Sequence, residues 1–327
     1  MPAAPSPPLP APVTVGLGEV LWDLFPAGPR LGGAPANFAW HAAQLGARAA
    51  VVSAVGADAQ GERIRSAWNR HGIALAGLQT DPAHPTGTVR VTLRAGLPHY
   101  TCTPHVAWDF LHWNPALDGL ARRTAIVCFG TLGQRAPHAR AVIQRFLRTV
   151  PRTALRLFDA NLRQRVFDVA LLTQSLRLAT WLKVSDAELR RLRPLVEGAT
   201  TLPRALRPAA DSAAAARRAG IAFGLLRRFR LHAVVITRGP QGSEIVTADG
   251  LLRSPAPAIR VADTVGAGDA FSAALTLAWW HNRDLAAAAS FANRVGAYVA
   301  SRSGATPHLP ARLLRLRPAA RGTGAAG

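Results

Sequence analysis

Lysine and cysteine are scarce in this chain of 327 residues. Lys183, the only lysine, follows Leu182, whereas the phosphate-binding Walker A loop needs a lysine directly after a glycine. The two cysteines, Cys102 and Cys128, are far apart and form no CxxC pair, so neither a disulfide framework nor a zinc ribbon is indicated. These scarcities exclude Walker-type nucleotide enzymes and favour a reducing compartment, and we expect the protein to be cytoplasmic.

Several enzyme signatures are missing as well. The chain contains no HRD, HExxH or GxSxG motif, and GLGEVL near the N-terminus lacks the third glycine of the dinucleotide fingerprint. Protein-kinase chemistry, zinc proteolysis, serine hydrolysis and hydride transfer therefore lose support.

Long uncharged apolar runs are also lacking. The best window, ALTLAWWHNRDLAAAASF, is interrupted by Arg283 and Asp284, whereas a membrane span needs about 18 uncharged apolar residues. The start, MPAAPSPPLPAP, has proline where a signal peptide needs a charged start and an apolar run. We expect a disordered tail at 1–12, a basic flexible tail at 313–327, and no membrane partner.

Acidic residues are few: 18 Asp and Glu face 39 Lys and Arg, for a net charge of +21. Such charge would suit an anionic partner such as nucleic acid. The arginines are spread along the chain, however, and no basic stripe is interleaved with aromatic residues. A compositional bias of the genome explains them better, so no nucleic-acid partner is predicted, and a basic nucleic-acid scaffold stays as an alternative.

The order of apolar segments predicts the fold. Hydrophobic residues make up 49% and charged residues 17% of the chain, which is typical of a globular protein. Strand-like runs such as TAIVCFG and LHAVVIT alternate with helical patterns such as HARAVIQRFLRTV. This rhythm predicts an α/β domain over 13–312, with a mainly parallel sheet between two helical layers. Period-two alternation predicts a small β lid from about 20–31 and 82–108.

The stretch DTVGAGDAF, residues 263–271, carries the most chemical information. It precedes an apolar helical pattern, so the N–H groups of Gly266, Ala267 and Gly268 would be unpaired at a helix start and attract an anion. Asp269 could then accept a proton from an alcohol while those amides stabilise charge on a transferred phosphoryl group. An aspartate in a first helical turn is also favoured by the helix dipole alone, so both interpretations stay open.

Three motifs in one order carry a resemblance. DTVGAGDAF, with GGAPANFA upstream and DANLR between them, resembles the ribokinase-like (pfkB) carbohydrate kinase family, and GEVLWD with GGAPAN resembles its fructokinase branch. The match runs from about residue 14 to 310. It implies a ribokinase-like α/β/α sandwich and an ATP-dependent enzyme that phosphorylates a sugar, with fructose to fructose 6-phosphate expected. Kinases of ribose, 2-keto-3-deoxygluconate or nucleosides remain alternatives, as does a non-catalytic sugar- or nucleotide-binding protein.

The resemblance assigns catalytic and sugar-binding roles. Asp269 is similar to the family's catalytic base, and Gly266, Ala267 and Gly268 to its anion hole. Arg163 in DANLR suits phosphate or substrate oxygens, with a surface salt bridge as its alternative. The positions similar to the family's sugar site are Asp23, Gly32, Gly33, Asn37 and Asp269. The alternative for the two glycines is an ordinary turn, and the alternative for Asn37 is a residue at the start of a helix without a binding role.

The resemblance also implies sites for ATP and Mg²⁺. Glu188 would position Mg²⁺ through water, while Ser185 stands where the family usually has asparagine. Lys183 would face the nucleotide or lie in solvent. The positions implied for the nucleotide are Lys183, Ser185, Glu188, Thr237, Gly239, Gly242, Gly268 and Asn293.

A monovalent cation, K⁺, and a dimer complete these expectations. Asp263 and the backbone of Val265, with Arg302 and Gly304, are similar to a loop pair that holds such a cation in some family members. His308 replaces the small polar residue expected there. Lids of this family often pair, which implies a homodimer through the lid.

Overall fold

The computed structural model describes residues 11–26, 28–94, 97–162, 167–196, 213–282 and 284–314. Arg163 and most of the two predicted tails lie outside these ranges. The second tail was predicted to start at residue 313, but Leu313 is buried and belongs to a short helix, Ala311–Leu314. The folded domain therefore extends beyond the predicted boundary.

The described residues form a large sheet of nine strands and a small sheet of four. The strands are β1 Val13–Leu17, β2 Leu21–Phe25, β3 Gly28–Gly32, β4 Arg48–Gly56, β5 Leu78–Asp81, β6 Thr88–Arg94, β7 Leu97–Cys102, β8 Ile126–Phe129, β9 Leu155–Asp159, β10 Trp181–Ser185, β11 Ala233–Thr237, β12 Ser243–Val246 and β13 Leu251–Ser254. The large sheet has the order β13-β12-β11-β10-β9-β8-β1-β4-β5. Only the β11–β12 and β12–β13 pairs of this sheet are antiparallel, so the predicted mainly parallel sheet is confirmed.

Helices cover both faces of the large sheet. They are α1 Ala34–Gln44, α2 Ala59–Arg70, α3 Pro115–Arg123, α4 Pro137–Thr149, α5 Val169–Leu178, α6 Asp186–Arg191, α7 Ala213–Phe229, α8 Ala267–Asn282, α9 Leu285–Ala300 and α10 Ala311–Leu314. None of the helices within the described ranges is long and apolar enough to cross a membrane.

Alternating strand residues separate two cores. In β8, Val127 and Phe129 pack with α3 to α7, while Ile126 and Cys128 pack with α1, α8 and α9. Successive side chains of a strand point to opposite faces, and all four residues of β8 are buried, so the strand reads as a continuous apolar run. The result is the predicted three-layer α/β/α arrangement.

The small sheet forms the predicted lid. Its order is β3-β2-β6-β7, with an antiparallel hairpin of β2 and β3. The lid packs on the large domain through Leu21, Val89, Val106 and Trp108. Its strands span 21–32 and 88–102, so the remainder of the predicted 82–108 segment is loop and a single turn of 3-10 helix.

Candidate active site

The glycine loop before α8 is held tightly against another loop. Gly266 has φ +78°, and a Cβ atom there would lie 2.4 Å from the Ala305 carbonyl oxygen. Only glycine fits both constraints. The N–H of Ala267 donates to the Thr264 carbonyl at 3.3 Å, so this amide is not unpaired as predicted. Within the described part of the chain, no partner engages the N–H groups of Gly266 and Gly268, which remain for an anion.

Asp269 lies in the first turn of α8 and is fixed by a side chain from α1. The Asn37 Nδ2 group donates to Asp269 Oδ2 at 2.8 Å. Asn37 is only 4% exposed, and its backbone N–H donates to the Gly33 carbonyl. The structure thus joins two predicted site residues that are 232 positions apart. A residue that only begins a helix would not need this side-chain contact with Asp269.

A buried ion pair lies behind the glycine loop. Lys183 Nζ is 3.1 and 2.9 Å from the two carboxylate oxygens of Asp159, and Ser272 Oγ donates to Asp159 at 3.1 Å. Burial raises the pKa of Asp159 to about 6 despite the neighbouring Lys183. Burial would lower the pKa of Lys183, but attraction to Asp159 and Asp269 outweighs it and raises this pKa. Both groups are therefore charged at neutral pH.

Lys183 was predicted either to face the nucleotide or to lie in solvent, and the solvated alternative is wrong because the residue is 8% exposed. A Cβ atom at Gly268 would lie 2.9 Å from Lys183 Nζ. The ammonium group is thus close to the start of α8, where it adds positive charge to that of the helix dipole. The sequence analysis did not pair Lys183 with Asp159, although the two residues are partners in the β9–β10 register.

The predicted sugar residues meet at the base of the lid. β2 and β3 place Leu21 opposite Gly32, and a Cβ atom at Gly32 would lie 2.2 Å from Asp23 Oδ2. Gly32 therefore leaves room for the Asp23 carboxylate. Gly33, with φ +103°, turns the chain from β3 into α1 and towards Asn37. Gly32 ends β3 and Gly33 is the N-cap of α1, so the GG pair connects the hairpin that carries Asp23 to the helix that carries Asn37.

A cavity of about 450 Å³ opens beside the glycine loop. Ile259 and Val261, which the sequence analysis missed, are exposed by 38% and 53% at its wall. Their signal is a pair of aliphatic residues in a proline-rich loop. The cavity brings together five residues that were predicted for the nucleotide: Thr237, Gly239, Gly242, Gly268 and Asn293.

Asn293 has a structural task besides lining this cavity. Its Nδ2 group is within 3.1 Å of the hydroxyl of Ser243 and within 3.0 Å of the carbonyl and hydroxyl oxygens of Ser254. The side-chain amide thus ties α9 to the antiparallel strands β12 and β13. Its nitrogen is committed to the protein, so Asn293 shapes the cavity wall.

Comparison with known proteins identifies the family. A model described as pfkB family carbohydrate kinase matches residues 28–312. The chain belongs to the pfkB family. This confirms the predicted resemblance, and the family consists of carbohydrate kinases.

Relatives and solved structures agree with this membership. Fructokinase-1 of Oryza sativa subsp. japonica is 28% identical over 327 residues, which cover 91% of this chain and 94% of the relative. Aminoimidazole riboside kinase of Salmonella typhimurium is 28% identical over 291 residues, 85% of this chain and 84% of the relative. The structure of fructokinase with bound ATP from Xylella fastidiosa has a TM-score of 0.78 at 22% identity, covering 93% and 97% of the two chains. The ribokinase-like fold is thereby confirmed.

The pfkB element around Ser185 and Glu188 forms a helix cap in this chain. Glu188 Oε2 accepts hydrogen bonds from the Ser185 N–H at 2.7 Å and hydroxyl at 2.8 Å, and Oε1 accepts one from the Leu162 N–H at 2.7 Å. Burial would raise the pKa of Glu188, but these hydrogen bonds outweigh burial and lower it. Ser185 and Glu188 therefore form the cap at the start of α6. Neither residue lines the cavity.

The residues predicted for a monovalent cation are only partly together. Asp263 Oδ1 accepts the Val265 N–H and Oδ2 accepts the Gly304 N–H, each at 3.0 Å. The Arg302 side chain instead lies over the Tyr298 ring, 5.1 Å from its centroid. The cationic side chain beside the Asp263 carboxylate is that of Arg30, whose Nη1 atom is 3.3 Å from Asp263 Oδ2.

Proposed function

We propose that this pfkB protein is an ATP-dependent sugar kinase, with fructose phosphorylated at its 6-hydroxyl as the expected reaction. The observation that carries the proposal is the Asn37–Asp269 hydrogen bond of 2.8 Å at the glycine-lined start of α8. It fixes a carboxylate beside the amides of Gly266 and Gly268, which have no hydrogen-bond partner within the described ranges. A general base and an anion-stabilising site are thus adjacent, as phosphoryl transfer to an alcohol requires.

The reaction divides among these groups. Asp269 accepts the proton of the sugar hydroxyl, whose oxygen bonds to the γ-phosphorus as the bond to the leaving ADP oxygen breaks. The amides of Gly266 and Gly268 and the ammonium of Lys183 stabilise negative charge on the transferred group. Asp23, at the base of the lid, would bind sugar hydroxyls. An ordered lid over the sugar would exclude water and limit wasteful ATP hydrolysis.

The nucleotide would occupy the cavity that Gly268 shares with Thr237, Gly239 and Gly242. Apolar walls suit a planar base, and the cavity reaches the glycine loop where the phosphates must lie. ATP is supported by family membership and by this continuity from an apolar wall to an anion site. Ile259 and Val261 would cover the base.

Mg²⁺ would arrive with the triphosphate, since the described ranges contain no group of three His, Cys, Asp or Glu side chains that could hold a metal ion. Glu188 fits the proposed indirect role. Among the residues that the structure describes, Leu162 alone donates to its Oε1 atom, and a carboxylate oxygen can accept about two hydrogen bonds. A water ligand of Mg²⁺ could use the second position. When bound, the ion would offset the charge of the phosphates.

A sugar panel tests the substrate. Purified protein is incubated with Mg²⁺ and ATP and with fructose, ribose, 2-keto-3-deoxygluconate, adenosine or aminoimidazole riboside, and ADP release is measured against a sugar-free blank. We expect the highest kcat/KM with fructose. Turnover of ribose or of a riboside without turnover of fructose would show that fructose is not the substrate. A riboside is the second candidate because aminoimidazole riboside kinase of Salmonella typhimurium is a relative. No turnover above the blank with any of them would contradict the kinase proposal.

We propose a homodimer that forms through the lid and a cytoplasmic location as further parts of this function. Support for the dimer comes from membership of the pfkB family, whose lids often pair. Light scattering coupled to size-exclusion chromatography measures the mass in solution, and a monomeric mass at micromolar concentration would contradict the dimer.

A further inference from the structure

An arginine of the lid contacts the loop that leads to the anion site. Arg30 in β3 donates from Nη1 to Asp263 Oδ2 at 3.3 Å, across 233 positions of sequence. The side chains of Arg30 and Asp263 are 38% and 20% exposed. The Arg30 guanidinium also lies over the Phe25 ring, 4.9 Å from its centroid, so a neighbour in the same hairpin orients it.

The contacts of Asp263 leave a poor site for a monovalent cation. Oδ2 accepts hydrogen bonds from both Gly304 N–H and Arg30, and Oδ1 accepts one from Val265 N–H. A carboxylate oxygen accepts about two such bonds, so Oδ2 is saturated. The adjacent Ala300 carbonyl likewise accepts two backbone N–H groups, from Ala262 and Asp263. Among the described contacts, only the second position of Asp263 Oδ1 is left for an added K⁺, and the guanidinium would repel the ion there.

We infer that the Arg30 guanidinium replaces the monovalent cation of this loop, which makes the protein independent of K⁺. The guanidinium supplies at this carboxylate the positive charge that a bound monovalent cation would otherwise bring. This inference deepens the proposed kinase function and disagrees with the cation that the family resemblance implied for Asp263.

The same contact couples sugar and phosphate sites. Arg30 lies directly opposite Asp23 in the β2–β3 hairpin, and Asp263 lies three residues before Gly266. A lid that is ordered over the sugar thus contacts the loop that receives the phosphoryl group. Arg30 is a positioning residue in this account, because it acts through Asp263 and the lid.

Kinetics alone do not separate this role from that of an ordinary surface ion pair. The test therefore combines melting temperature with kinetics in chloride salts of K⁺, Na⁺ or tetramethylammonium at one ionic strength. For the wild-type protein we expect equal melting temperatures and kcat/KM values within about two-fold across the three salts. A saturable rise in melting temperature specific to K⁺, or activation by K⁺ of five-fold or more, would overturn the inference.

Variants sharpen the test. We expect Arg30→Met to raise the sugar KM several-fold and to gain K⁺-dependent activation, while Arg30→Lys keeps the charge and restores K⁺ independence. Arg90→Met is the matched control, because Arg90 is an exposed arginine of the same lid on β6, and it should behave as wild type. If Arg30→Met matches wild type in all three salts, the inference is wrong. Should no sugar be phosphorylated, the kinase proposal fails, and the melting temperatures still decide between Arg30 and K⁺.

Discussion

Asn37 Nδ2 and Asp269 Oδ2 lie 2.8 Å apart and join the helix after the lid to the helix after the glycine loop. The contact engages one carboxylate oxygen of Asp269. An amide donor keeps this oxygen in a fixed direction without changing the net charge of the site, so the carboxylate remains available as a base. The proposed proton acceptor and the proposed sugar-binding hairpin are therefore joined through α1.

Replacing Asp269 by asparagine should abolish most of the proposed phosphorylation. Asparagine is nearly isosteric but accepts no proton, and general-base catalysis contributes about 10²–10⁴-fold to the rate. We expect kcat with the best sugar to fall by about that factor, while ATP affinity measured by calorimetry stays within about three-fold. Unchanged turnover in Asp269→Asn would remove this residue from the catalytic role.

Replacing Asn37 by alanine should lower activity through orientation of Asp269. The variant keeps the carboxylate but loses its amide donor, so we expect kcat to fall about 10–100-fold, less than in Asp269→Asn. Asn69→Ala is a matched control, since Asn69 is an exposed asparagine of helix α2. Steady-state kinetics of both variants, with circular dichroism to confirm folding, make the comparison. Equal kcat in Asn37→Ala and Asn69→Ala would show that the hydrogen bond has no part in turnover.

Local patterns predicted the layers and most of the motifs, but not the contacts between distant segments. Strands such as β8 could be recognised because they are buried on both faces and read as unbroken apolar runs. Asp159 and Lys183 could have been paired in advance from strand adjacency, since they are partners in the β9–β10 register. The Arg30–Asp263 contact could not, because it depends on how the lid is placed over the domain.

Other residues were missed because their local pattern is ambiguous. His41 lies in an apolar helical run and gives no sequence sign of its contact with Ala305. The Ala267 amide was expected to be free, but the bend after Thr264 brings it to a carbonyl, and such a turn is not encoded by glycine spacing alone.

Replacing Gly266 by alanine should damage the anion site. The new Cβ would meet the Ala305 carbonyl at 2.4 Å, and the φ of +78° is unfavourable for alanine. Gly72→Ala is the control, because Gly72 has φ +68° with nothing within 4 Å of its Cβ position. We expect Gly72→Ala to lose about 1 kcal/mol from backbone strain and Gly266→Ala to lose more because of the added overlap, and we expect only Gly266→Ala to lose ten-fold or more in kcat. Urea denaturation and kinetics are the measurements. Similar kcat for the two variants would mean that the 266–305 contact does not shape the site.

The buried His41 predicts a dependence of stability on pH. Burial lowers the pKa of His41 below its ordinary 6.5, although its contacts with the Ala305 carbonyl and the Asp269 charge oppose this shift. Its Nε2 group is 2.9 Å from the Ala305 oxygen, which makes the neutral ring the donor there. Below pH 6.5 the unfolded chain binds a proton that the folded chain excludes. The stabilising contribution is therefore complete above pH 6.5 and is lost as the pH falls towards the lowered folded pKa.

Urea denaturation of wild type and His41→Gln at pH 7.5 and pH 5.5 tests this sign. Glutamine can donate to the Ala305 carbonyl but does not titrate, so the loss of unfolding free energy on acidification should be smaller in the variant by about 1 kcal/mol. His112→Gln, at an exposed histidine, is the control and should keep the wild-type response. Taking the difference between variants removes the opposing contribution of Asp159, whose raised pKa gives stability that is lost as the pH rises towards about 6. An identical loss of unfolding free energy on acidification in His41→Gln and wild type would contradict this prediction. It would mean that the folded protein accommodates a charged His41 ring between α1 and the loop that supports Gly266.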